Sequence, residues 1–461
     1  MRKNVWEKYS PKEEQELMAL CEDYKNFLSI CKTERECTKE IIRKAENAGF
    51  KNLESYILEN KGIKAGDKIY INNMEKAVAL FVIGTEKITE GMNILGAHID
   101  SPRLDLKAKP LYEEQNLAYL DTHYYGGIKK YQWVTLPLSL HGTVVKKDGT
   151  KIEIQLGEEE QDPVLGITDL LPHLASEQLK KDGTKLVEGE KLDLLIGSKP
   201  LTTKEDQKEA VKENILEILN KKYGIEEEDF LSAEIEVVPA GKARDFGLDR
   251  SMVIAYGQDD RVCAYTSLEA FLNAKPSART LSCILVDKEE IGSVGATGMH
   301  SRFYENAISE ICYLMGETYP TAVNRVFQHS KMLSSDVTAA YDPLYADVME
   351  KRNAAYLGQG LVFCKYTGAR GKSSSNDANA EYLAKLRKIM DESNISFQIS
   401  ELGKVDAGGG GTIAYILANQ NVEVIDCGVG VLNMHAPWEI TSKADIYEVY
   451  RGYLTFLENM Q

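Results

Sequence analysis

Apolar residues recur at helical spacing through LMALCEDYKNFLSICKT (17–33), and TKEIIRKAENAGF (38–50) keeps a similar pattern until a glycine, a usual stop signal. The first sixty residues therefore read as helices. Strands are expected at ALFVIG (79–84) and NILGAHID (93–100). Beyond about residue 105 the chain changes character. Short segments such as GTVV (142–145) and IEIQL (152–156) are separated by turn signals, of which KKDGTK at 146–151 is the plainest hairpin turn. The same six letters recur at 180–185 between unrelated flanks, which marks two independent turns rather than a repeat. One amphipathic helix interrupts this β-rich stretch: KEDQKEAVKENILEILNKKYG (204–224) places Val211, Ile215, Ile218 and Leu219 on one face and closes at Gly224.

From about residue 242 helix and strand alternate. VCAYTSLEAFLNA (262–274) and AEYLAKLRKIMDES (380–393) read as helices, and TLSCILVDKEE (280–290) and VEVIDCGV (422–429) as strands. Such alternation predicts an α/β fold, a mixed and largely parallel central sheet flanked by helices. A length of 461 residues exceeds what one hydrophobic core usually supports, and 43% hydrophobic with 27% charged residues is a globular composition, so two domains are expected. Residues 1–104 and 242–461 form the two parts of one domain, and 105–241 an inserted β-rich second domain.

A formal net charge of −16 argues against nucleic acid and against an anionic membrane surface as partners. No uncharged apolar run approaches the roughly 20 residues of a membrane helix, and the start MRKNVWEKYSPKEEQEL lacks the apolar centre of a signal peptide. A cytoplasmic location is the expectation. The eight cysteines (21, 31, 37, 263, 283, 312, 364 and 427) show no CxxC and no clustering, and read as reduced thiols.

Five short segments concentrate metal-binding side chains at strand ends or in the loops that follow: GAHIDSP (96–102), GQDDR (257–261), DKEEIGS (287–293), SSDVTAA (334–340) and NMHAPWE (433–439). In an open α/β sheet, ligands bind beyond the carboxyl ends of the strands, so these distant segments have a common place to meet. Two histidines and three carboxylates suit a pair of hydrolytic zinc ions that leave a position open for water. In the Glu289-Glu290 pair one residue can bind metal while its neighbour takes the proton of the water. Taken singly, each has a duller account. Asp-Asp-Arg is a common turn or helix cap, Glu-Glu a solvated face, and a lone histidine a hydrogen-bonded structural residue. The other histidines (123, 141, 173, 300 and 329) have no partner motif. The tract DAGGGGT (406–412) lacks the Lys-Ser/Thr of a phosphate loop and reads as a tight turn that lets backbone approach a substrate.

The five segments, in this order, resemble the M18 family of metallo-aminopeptidases, whose best-known members are the aspartyl aminopeptidases; the match spans nearly the whole chain, insertion included. The resemblance implies a zinc-peptidase-like fold, removal of the N-terminal residue from peptides with a free N-terminus, and two Zn²⁺ per subunit, with Co²⁺ or Mn²⁺ as alternatives. It also implies a homo-oligomer, commonly a tetrahedral dodecamer, in which the inserted domain serves as an oligomerisation or lid element. Position by position, it puts the metal ligands on His98, Asp259, Glu290, Asp336 and His435, with Asp260 beside Asp259 as the alternative bridging carboxylate. Asp100 orients His98, and Glu289 is the catalytic base that activates a bridging water. One ion would take His98, Asp259 and Asp336, and the other Asp259, Glu290 and His435.

One departure bears on specificity. Aspartyl aminopeptidases carry a histidine in the segment that reads YYGGIKKYQWVTLPL (124–138) here, where it reaches a neighbouring subunit's site. Tyr131 or Gln132 occupies that place in this chain, while Lys129 and Lys130 retain positive charge. Acidic and neutral N-terminal residues are both open. Two rival readings of the same residues are a two-metal deacylase or carboxypeptidase-like hydrolase, and a catalytically silent shell-forming scaffold.

Overall fold

The computed structural model describes residues 4–201, 208–368 and 371–461, and these divide into two compact units. The first comprises Met1–Asp100, Ala243–Met434 and Glu439–Gln461; the second comprises Ser101–Lys242 with His435–Trp438. Among the described residues no helix is long and apolar enough to cross a membrane.

The first unit begins with the expected helices, α1 (Pro11–Ile30), α2 (Glu34–Asn47) and the short α3 (Leu53–Leu58). Both long ones start with a capping box: Ser10 with Glu13, and Thr33 with Glu36, each exchange side-chain and backbone hydrogen bonds that satisfy otherwise orphaned amides. Four strands follow or intervene: β1 (Lys51–Asn52), β2 (Lys68–Asn73), β3 (Ala77–Val82) and β4 (Met92–His98).

The second unit is β-rich: β5 (Arg103–Glu114), β6 (Leu117–Tyr125), β7 (Leu138–Val145), β8 (Lys151–Leu156), β9 (Leu194–Gly197) and β10 (Ala233–Pro239) form one six-stranded sheet in the order β8-β7-β10-β5-β6-β9. The turn at 146–151 is the hairpin between β7 and β8, closed by the Lys146 amide on the Thr150 carbonyl at 2.9 Å. The second KKDGTK contributes only 3₁₀ turns, so the two copies share no structure. The predicted amphipathic helix is α4 (Ala210–Tyr223), closed by Gly224 in the left-handed region; the KEDQ that opened the predicted segment lies outside the described residues. Val211 is fully buried, but Ile218 is 49% exposed, so the apolar face is only partly covered.

Back in the first unit the chain forms β11 (Arg244–Phe246), β12 (Met252–Ala255), α5 (Gln258–Asn273), β13 (Thr280–Val286), α6 (Phe303–Leu314), α7 (Ala322–His329), β14 (Lys331–Ser334), β15 (Thr338–Ala339), β16 (Leu361–Cys364), α8 (Ala380–Glu392), β17 (Phe397–Ser400), α9 (Ala414–Ala418), β18 (Glu423–Gly428), β19 (Gly430–Leu432), β20 (Glu439–Ser442) and α10 (Lys443–Asn459). Nine strands make its main sheet, in the order β1-β2-β3-β13-β4-β14-β18-β16-β17. Five of the eight neighbouring pairs are parallel, including the central run β13-β4-β14-β18, as the alternating pattern predicted. Side chains alternate between the two faces. Leu80, Leu95 and Cys283 pack in one core with α1, α2, α5, α8 and α10, whereas Phe81, Ile94 and Ile284 pack in another with α3, α6, α7 and α9. A sheet covered on both faces explains why β4 and β13 are buried along their whole length and largely apolar, without the polar alternation of a half-exposed strand. A smaller sheet, β11-β12-β20-β19-β15, completes this unit.

Candidate active site

Three parallel central strands determine what meets at the site. β4 lies between β13 and β14 in a register that sets His98 opposite Val286 and Gly96 opposite Ser334. Whatever follows those residues leaves the sheet at the same carboxyl edge. His98 ends β4, the Glu289-Glu290 pair follows β13, and Asp336 follows β14. Asp259 and Asp260 arrive differently, in the turn between β12 and α5, where Gly257 takes a φ of 69° and both aspartates leave helical geometry before α5 settles.

His98 is 1% exposed. Its Nδ1 donates to the Asp100 carbonyl at 3.0 Å and lies 3.3 Å from Asp100 Oδ1, which keeps a proton on that nitrogen and turns Nε2 toward the carboxylates. From Nε2 it is 3.2 Å to Asp259 Oδ1, 3.9 Å to Glu289 Oε2 and 4.0 Å to Asp336 Oδ1. Ligand-type atoms of His98, Asp259 and Glu290 all lie within 4.8 Å of one another, and so do those of His98, Asp260 and Asp336.

Asp100, fully buried, has a second task. Its Oδ1 accepts the Glu289 amide at 3.1 Å and its Oδ2 the Glu290 amide at 3.2 Å. One carboxylate thus fixes both the imidazole and the backbone of the glutamate pair, which Lys288 and Gly292, both at positive φ, turn out of the strand. Glu289 and Glu290 remain partly accessible.

The electrostatics call for a cation. Burial lifts the Asp260 carboxyl well above the usual carboxylate range, opposed by His98 and reinforced by Asp259. Asp336 is lifted likewise by burial, with Asp260, Glu289 and Asp259 adding their charge. For His98 burial works to lower the pKa, but the hydrogen bonds to Asp100 and Asp259 outweigh it and hold the ring well above its ordinary value. Carboxylates this crowded and dry stay ionised only against positive charge. Imidazole and carboxylate are zinc's ligands for reactive sites, so the donor set fits a catalytic zinc centre.

His435 is absent from both groups. It sits at a φ of 63° within the second unit, its Nδ1 2.9 Å from the Gly127 carbonyl. In segment 124–138, Tyr131 is exposed and Lys130 Nζ donates to the Thr184 carbonyl at 3.0 Å. Three of the histidines without a motif have local partners: His141 meets Glu158 Oε1 at 3.1 Å, His300 the Tyr415 hydroxyl at 2.7 Å, and His329 the Thr89 carbonyl at 2.8 Å. All eight cysteines are free and buried. The tract 406–412 is a loop whose Thr412 hydroxyl donates to Asp426 Oδ1 at 2.6 Å.

Two residues gain weight only in three dimensions. Asp260, read from sequence merely as the alternative to Asp259, joins Asp336 beside His98. Glu439, quoted at the end of NMHAPWE without a role, accepts the Asp259 amide through Oε2 at 2.9 Å. The signal was a carboxylate inside each motif, with nothing in the letters to say what it would touch.

A buried imidazole ringed by carboxylates at the carboxyl edge of a largely parallel sheet defines a metal-dependent hydrolase. The family model described as aminopeptidase I zinc metalloprotease (M18) matches residues 27–457, and the chain belongs to that family. It is similar to a probable M18 family aminopeptidase 1 of Clostridium acetobutylicum, 60% identical over 99% of this chain and 98% of the relative. A crystal structure of the M18 family aminopeptidase from Thermotoga maritima superposes with a TM-score of 0.95 at 46% identity, covering 100% of each chain. The fold extends to the mApe1 dodecamer of S. cerevisiae, at a TM-score of 0.76 and 18% identity over 94% of this chain and 95% of that one. The protein is a metallo-aminopeptidase, a hydrolase acting on peptide bonds.

Proposed function

We propose that this metallo-aminopeptidase works with two zinc ions per subunit and with Glu289 as its general base, and that it accepts acidic or neutral N-terminal residues. The observation that carries this reading is the His98 ring: Nδ1 is occupied by Asp100, and Nε2 is left facing Asp259, Glu289 and Asp336 within 4.0 Å. His98, Asp259, Glu290 and Asp336 would hold metal, and His435 stays in the ligand set on its sequence motif alone. Bound zinc supplies Lewis acidity at the scissile carbonyl and makes a water molecule more acidic. Glu289 accepts a proton from the attacking water and returns it to the departing amine. Asp100 keeps the His98 proton on Nδ1 and holds the amide on which Glu289 is carried, so base and ligand move as one body. Lys129 and Lys130 of segment 124–138 supply positive charge for an acidic side chain.

A cytoplasmic homo-oligomer, a tetrahedral dodecamer, completes the proposal; eight free thiols and the shared fold of the yeast dodecamer support it. The decisive experiment is a scan of aminoacyl p-nitroanilides, each paired with its N-acetyl form, before and after exhaustive chelation. Cleavage of free-amine substrates alone, lost with the metal and restored by zinc, is the expected result; equal cleavage of blocked substrates, or full activity after chelation, refutes the reading. Sedimentation should give a mass near twelve times that of the chain.

A further inference from the structure

We propose that Glu439 is a positioning residue for the reaction: its carboxylate holds the backbone that carries Asp259, and so sets the affinity of the site for metal. The inference rests on Asp259 being a metal ligand, as proposed above.

Asp259 stands at the start of α5, where the first amides of a helix have no acceptor within the helix. The turn that carries it is not helical: Asp259 has φ −79° and ψ 108°, and Asp260 φ −114° and ψ 28°. Something outside the helix must hold it. Glu439 opens β20, paired with Ala255 of β12, and is 1% exposed. Its Oε2 accepts the Asp259 amide at 2.9 Å, a charge-assisted bond away from water. Its carbonyl accepts Gln258 Nε2 at 2.6 Å, and the same nitrogen donates to the Val253 carbonyl at 3.2 Å. Gln258 Oε1 in turn accepts the Tyr24 hydroxyl at 3.2 Å. Glu439, Gln258 and Tyr24 are all fully buried, and residues 258–259 are clasped from three elements, β20, β12 and α1.

The consequence is geometric. Asp259 Oδ1 sits 3.2 Å from His98 Nε2, and metal coordination tolerates only about 0.2 Å of error in ligand distance. A turn released from Glu439 carries its carboxylate off that position. Partners of this kind, which touch a ligand rather than the metal, are worth roughly 10- to 100-fold in metal affinity.

The test compares two polar substitutions of similar size. Glu439→Gln keeps an oxygen for the Asp259 amide and loses the charge; Glu439→Asp keeps the charge and withdraws the acceptor by roughly one C–C bond, about 1.5 Å. Zinc affinity is read by competition with a chromophoric chelator, and Co²⁺ spectra report ligand geometry independently of turnover. The expected result is E439Q within about threefold of wild type and E439D weaker by at least tenfold, with an altered Co²⁺ spectrum. Wild-type affinity in E439D, or a loss in E439Q as large as in E439D, overturns the proposal. Should E439D not fold, hydrogen exchange decides on E439Q alone: an Asp259 amide as protected as in wild type supports the proposal, and free exchange overturns it. D259N is the control for the reading beneath. Undiminished zinc binding in D259N removes the ligand assignment itself, whereas a loss in D259N beside an unaffected E439D removes only the role of Glu439.

Discussion

Glu289→Gln separates chemistry from architecture. The substitution deletes the proposed proton acceptor but leaves the residue 289 amide, which Asp100 Oδ1 holds at 3.1 Å. It also removes a negative charge that pushes the carboxyls of Asp260 and Asp336 upward, a relief set against the loss of its attraction for the His98 ring 3.9 Å away. The thermal midpoint of the metal-free protein should therefore stay nearly level. A positioned general base contributes about 10²- to 10⁴-fold, which corresponds to roughly 3–5 kcal/mol of barrier at 1.36 kcal/mol per tenfold. The loss should appear in kcat, with zinc content unchanged by elemental analysis. A variant with full zinc and kcat within threefold of wild type would refute the assignment of Glu289, and a loss fully explained by missing zinc would make Glu289 a ligand instead.

Three further outcomes follow from the geometry. Asp100→Ala leaves the carbonyl that accepts His98 Nδ1 but removes the carboxylate 3.3 Å from that nitrogen and with it the acceptor of two backbone amides, and should weaken zinc binding about 10- to 100-fold in competition titrations. At Gly428, in β18, an added Cβ would stand 1.9 Å from the Asp336 carbonyl oxygen, so Gly428→Ala should displace the backbone of Asp336 and lower both soluble yield and zinc stoichiometry. Asp445, buried and pushed up to about 7 by desolvation first, with Glu448 adding to it against the amides of Gly358 and Gly360, has a folded pKa above its unfolded value. Its contribution is complete below about pH 4 and lost as pH rises through 7. Urea midpoints of the metal-loaded wild type should fall over that window relative to Asp445→Asn, and parallel curves would contradict the shift.

Much of this molecule was legible in its letters. The central strands are long apolar runs because both of their faces are covered, and the strand-end motifs marked His98, the glutamate pair and Asp336 because a parallel sheet delivers all its carboxyl ends to one edge. Helices α1 and α2 announced themselves by their period; α2 stops just before the expected glycine, whereas α1 starts earlier and ends at Ile30, short of the Thr33 to which the apolar pattern ran. The small sheet built from β11, β12, β15, β19 and β20 was illegible: strands of two to four residues are too short for any period, and their pairing depends on contacts between residues nearly 200 positions apart, such as Ala255 with Glu439. Glu439 was invisible for the same reason. Its partner is a backbone amide, and no residue type advertises that. Ile218 stands on the predicted apolar face yet is 49% exposed, because spacing reports which face is apolar, not whether anything covers it.

The place of β4 in the order of strands has a temporal consequence. Its neighbours on both sides, β13 and β14, are encoded nearly 200 residues later or more, so β4 and the His98 that ends it emerge from the ribosome long before the strands that flank them. Until the segment through Asp336 has been synthesised, the nascent chain carries an unpaired apolar strand and no assembled pocket. An unfinished polypeptide therefore lacks the assembled site, and its unpaired strand is exposed to aggregation until its partners arrive.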